Sequence, residues 1–66
     1  MAGPAAPLAI RIVYRPLNNA GEWSTWMDVP PVDGEPQLEQ ARHLAKVLRR
    51  QGGWEVALLR DGKRLE

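Results

Sequence analysis

The chain has no cysteine, no phenylalanine and a single histidine. The missing cysteine and the lone histidine each close off a class of protein. Without cysteine there is no disulfide, and one histidine with no thiolate leaves no structural zinc site, so the usual reinforcements of very small domains are missing. A cysteine-free composition also fits a reducing compartment. No stretch reaches the ~18 apolar residues of a membrane span. The opening MAGPAAPLAIRI carries no positive charge before its apolar part, has prolines at 4 and 7 and meets Arg11 early, which makes a poor signal peptide. These features predict a cytoplasmic chain with no membrane contact.

Charge of one sign is also lacking. Nine Lys/Arg against eight Asp/Glu leave a net charge of +1, so the molecule as a whole has no drive toward nucleic acid. The distribution is uneven, because residues 34 to 66 hold most of the cations. At 66 residues the chain is one domain at most. A domain of this size buries only ~60% of the surface its unfolded form exposes, so stability must come from tight packing or from self-association.

Residues 1–7 are small and proline-broken and predict a disordered tail, which leaves 8–66 as one domain. LAIRIVYRPL then alternates, with Leu8, Ile10, Ile12 and Tyr14 on one face and Ala9, Arg11, Val13 and Arg15 on the other, the pattern of a half-buried strand. Pro16 weakens pairing at its end, and Asn18, Asn19 and Gly21 predict a hairpin loop into a second strand at roughly 22–29. Two prolines in VPPVDGEP break that strand. Asp33 or Glu35 is placed to cap a following helix, with Pro36 in its first turn.

From Leu38 to Gln51 the apolar residues recur at 38, 41, 44, 45 and 48, an arc of ~120° on a helix, and Gly52-Gly53 supplies a left-handed stop. WEVALLR reads as a third strand. Asp61-Gly62 suits a two-residue type I′ turn, after which residues 63–66 either form a short edge strand or fray. The predicted fold is α+β: one helix on one face of a three- to four-stranded, mostly antiparallel sheet, in the order β-β-α-β(-β). A right-handed crossover between the second and third strands leaves the first strand in the middle.

One helix covers one face, and parity assigns the rest. The helix-facing set is expected to be Ile10, Ile12, Tyr14, Trp23, Met27, Val29, Trp54, Val56 and Leu58. The open face then shows Arg11, Arg15, Ser24, Asp28 and Glu55, but also Val13, Trp26, Ala57 and Leu59. Trp26 is read in three ways. It lies along the stems of Arg11 and Arg15 as a simple cover; or it anchors an interface with a partner protein or a second copy; or a β-bulge between 23 and 26 breaks the parity and sends both tryptophans to the core.

A second candidate surface is the helix flank, where Arg42, Lys46, Arg49 and Arg50 beside His43 could grip a phosphate backbone. Cations near a helix C-terminus also complement its dipole, which is the plainer reading. The one-helix order matches neither a double-stranded RNA-binding domain nor a ribonucleoprotein-type sheet.

No catalytic constellation, metal-ligand spacing or phosphate loop is present, and the acids are scattered, so neither cofactor nor small-molecule substrate is predicted. The sequence therefore predicts a small non-enzymatic protein-protein interaction module, regulatory or adaptor in kind. Its size and Ala/Arg/Gly-rich usage fit a compact bacterial or phage genome. Trp26, Val13 and Leu59, oriented by Arg11 and Arg15, would dock on a partner or in a homodimer. The alternative is nucleic-acid binding by Arg42, Lys46, Arg49 and Arg50.

Overall fold

A computed structural model describes residues 8–18 and 21–66. The predicted tail at 1–7, and part of the predicted hairpin loop, lie outside the described residues. Strand β1 spans Ile10–Pro16, β2 Ser24–Val29, helix α1 Gln37–Arg50, β3 Trp54–Arg60 and β4 Lys63–Arg64. The strands form one antiparallel sheet in the order β2-β1-β3-β4, with β1 inside as the crossover argument requires.

Local chemistry explains most boundaries. The N–H of Leu17 still donates to the carbonyl of Gly53 at 3.1 Å, so the β1 edge toward β3 stays paired past Pro16. Backbone donors alternate along a strand. The donor Pro16 lacks would therefore have pointed toward β2, beyond the last β1–β2 pair, Tyr14 with Ser24. The helix stops where Gly52 and Gly53 take φ of +77° and +84°, and the β3–β4 turn has positive φ at both Asp61 and Gly62, as a type I′ turn requires.

The helix start differs from expectation. Pro36 itself sits at the cap position, and neither Asp33 nor Glu35 caps the helix with its side chain. The Glu35 carboxylate instead accepts from the Gln40 side chain. Gln37 organises this end: its amide nitrogen donates to the carbonyls of Leu8 and Val29, both at 2.9 Å, while its oxygen accepts from Arg60 at 3.0 Å. One side chain thereby ties the helix to the approach to β1 and to the ends of β2 and β3.

The helix-side core is Ile10, Ile12, Val29, Ala41, Ala45, Leu48, Val56 and Leu58. Leu38, Leu44, Tyr14 and Trp54 pack against it, the last two as an edge-to-face pair with ring centroids 5.0 Å apart. Strand β2, which completes that core, departs from simple alternation. Between Ile12 and Val13 the β1–β2 register slips: Ile12 faces Met27, but Val13 faces Thr25, and Trp26 is the extra residue.

Candidate functional site: the sheet face opposite the helix

The bulge exchanges the predicted places of the two tryptophans. Trp26 packs against the helix-side core, and Met27 is left 37% exposed at its rim. From Thr25 backward the alternation is inverted. Thr25 therefore shares the open face with its partner Val13, and Trp23, two residues earlier, lies on that face as well. The assignment of Trp23 to the core and Trp26 to the open face is thus corrected. Of the three readings of Trp26, the bulge is the one the structure contains, but it carries only one of the two rings inward.

Trp23 is half-buried, and two cations hold it. The Arg15 guanidinium lies 4.2 Å from the indole centroid and that of Arg64 lies 5.8 Å from it. Arg15 belongs to β1 and Arg64 to β4, on either side of β3, so an indole reached by both lies across the middle of the sheet. Beneath that position Val13 and Ala57 are cross-strand partners. They are only 3% and 1% exposed although no helix covers them, the burial expected where long side chains such as Trp23 and the arginine stems lie across a sheet face.

Ion pairs run along the same face. Arg15 donates to Glu55 at 2.9 Å and to the Gly21 carbonyl at 3.4 Å, and Arg11 donates to Asp28 at 3.0 Å. The hydrogen bond from Arg15 holds the Glu55 carboxyl below the usual carboxylate range, with the charges of Arg15 and Arg64 acting in the same direction. Glu55 and Asp28 each pair with one arginine, and Arg64, in no ion pair among the described residues, lies beside Trp23. At the far end of the face a depression of about 290 Å³ is lined by Leu8, Arg11, Asp28, Leu59 and the Asp61-Gly62 turn.

The residues expected to dock together are therefore dispersed. Arg11, Arg15, Val13 and Leu59 share the open face, but Val13 is covered and Trp26 is on the other side. The basic helix flank is also partly committed. The Nε of Arg42 sits 2.7 and 2.8 Å from the two Glu66 carboxylate oxygens, and Arg49 donates to the Val56 carbonyl at 3.1 Å. Lys46 and Arg50 are exposed. A wide depression of about 510 Å³ lies along the N-terminal half of α1, lined by Glu35, Pro36, Glu39, Gln40, His43 and Leu44.

Among the described residues, no group of three or more His, Cys, Asp or Glu side chains is placed to hold a metal ion, and no helix is long and apolar enough to cross a membrane. Comparison with protein-family models, with curated proteins and with solved structures finds no match.

Two residues of the site escaped the sequence reading. Arg64 was within reach of it, because a two-residue turn at Asp61-Gly62 pairs Arg64 with Leu59 and so puts it on the open face. Trp23 was not, because its side depends on one extra residue in β2.

Proposed function

We propose that the chain is a small non-enzymatic interaction module that meets a protein partner, or a second copy of itself, through the sheet face opposite the helix. Its anchor is Trp23, flanked by Arg15 and Arg64, with Arg11 farther along the same face. The observation that carries this reading is the half-exposed indole held by two guanidinium groups on the face that α1 leaves uncovered. Tryptophan and arginine dominate binding energy at protein interfaces, and a ring already fixed in place loses little conformational freedom on docking.

The same geometry disfavours base stacking, since a nucleobase would have to displace Arg15 from the indole face. Nucleic-acid binding by the helix flank would rest on Lys46 and Arg50, with Arg42 and Arg49 already engaged.

Sedimentation for self-association, and partner capture from cell extract, applied to the wild type, Trp23→Ala and Trp26→Ala, test the assignment. Trp23→Ala should stay folded and lose association by about 30-fold, the effect of removing a 2 kcal/mol anchor. Association that survives Trp23→Ala unchanged would overturn the reading.

A further inference from the structure

We propose that the segment 61–66, with β4 at its centre, is a detachable strap that covers Trp23, latched by the Arg42–Glu66 ion pair. This rests on the open face being the binding surface, and it assigns that surface a means of regulation.

The strap has a hinge, a weak attachment and a latch. Asp61 and Gly62 form the hinge, a tight turn whose φ values of +53° and +73° allow the chain to reverse at once. The strand beyond it is two residues long, and every residue from 61 to 66 is exposed. Past β4 the segment is held to β3 by two backbone bonds, from the Leu65 N–H to the Leu58 carbonyl at 2.8 Å and from the Leu58 N–H to the Glu66 carbonyl at 3.0 Å. Nothing from this segment belongs to the apolar core.

The latch is Glu66, whose two carboxylate oxygens grip Arg42 on α1. Between hinge and latch stands Arg64, which lies over Trp23 and also donates to the Glu66 carbonyl at 3.2 Å. Closing the strap therefore places a cation over the indole, and opening it removes that cation and uncovers the β3 edge beside Ala57. Local opening of this kind is drawn from the least stable part of a fold, and an exposed ion pair shifts such an equilibrium only modestly.

The latch also explains why the strap can be opened without unfolding the domain. The core lies between α1 and the inner strands β1 and β3, whereas Arg42–Glu66 is a surface contact with side chains 53% and 38% exposed. Raised salt weakens it by screening. A partner carboxylate that pairs with Arg42 or Arg64 competes for the same groups and exposes Trp23 as it docks.

Amide hydrogen exchange by NMR on the intact chain reads the strap directly, without a partner. In Glu66→Gln the amides of Leu58 and Leu65 should lose about twofold to fivefold of their protection, the weight of an exposed ion pair, while that of Ile12 in β1 is unchanged. The Trp23 indole resonance should shift in the same variant. Arg64→Gln keeps the latch and should shift the indole resonance without changing Leu65 exchange. If Leu58 and Leu65 exchange only with the whole domain, or if the indole resonance is indifferent to both variants, the strap does not exist. Neither outcome depends on association, so the strap can fail while the open face stands as the binding surface, and the converse also holds.

Discussion

The two faces of the sheet each hold a half-buried tryptophan, three residues apart in the chain, and each is retained by a different physics. On the helix side Trp26 joins a layer of aliphatic side chains, where the gain comes from apolar area removed from water and from close packing. On the open side Trp23 has no aliphatic roof. Two guanidinium groups hold it, on the face where Val13 and Ala57 are buried without a helix above them. A ring held by cations remains reachable by solvent and by a partner, whereas a ring wedged against a core contributes chiefly to folding. The contrast separates a structural aromatic from the one proposed to bind, in a chain with only three tryptophans.

The sharpest way to break the contrast is to attack the helix-side layer that holds Trp26. Leu58 is 1% exposed and lies in the helix-side core, so Leu58→Ala should cost about 3 kcal/mol. In a domain whose whole stability is of order 3 to 5 kcal/mol, circular dichroism at 37 °C should show much of the population unfolded.

The tryptophans themselves come next. Trp26→Ala should cost about 2 to 3 kcal/mol in urea unfolding, below the cost for a fully buried ring, and Trp23→Ala about 1 kcal/mol. Equal losses would erase the distinction between the faces.

Gln37 tests whether the helix-side layer depends on polar staples as well as packing. Gln37→Ala leaves the carbonyls of Leu8 and Val29 and the guanidinium of Arg60 without this partner, and should lower stability by about 1 to 2 kcal/mol.

The smallest effect is on pH dependence and belongs to the strap and the open face. Arg15 and Arg42 hold Glu55 and Glu66 below the usual carboxylate range in the folded protein. Their contribution is therefore complete above the unfolded value of about 4.3 and is lost as pH falls through the lowered folded values. The thermal midpoint should be flat from about pH 7 to 5 and decline below about pH 4.5. The double variant Glu55→Gln, Glu66→Gln should flatten that decline.

Much of the architecture was legible in the chain because it follows from local periodicity and from turn chemistry. The apolar spacing from Leu38 to Leu48 specifies the inward stripe of α1, Gly52-Gly53 its end, and Asp61-Gly62 the hairpin that creates β4. The inner position of β1 follows from crossover handedness. The helix cap was misplaced because two carboxylates compete for the role, and tertiary contacts gave Glu35 to Gln40 and the organising task to Gln37.

Side assignment in β2 was not legible, since period-two alternation depends on an unbroken ladder and one inserted residue inverts everything beyond it. Isolated, GEWSTWMDV offers both tryptophans equal claims on the core. Only pairing with β1 decides between them. There Trp26 is accommodated as a bulge opposite the Ile12–Val13 step, and it turns toward α1 while Trp23 is left to Arg15 and Arg64. Sequence alone determined that a sheet with one helix leaves a face open, because one amphipathic helix cannot cover both sides. Which aromatic that face displays, and which arginines hold it, was decided by register and by long-range ion pairs that exist only once the strands are side by side.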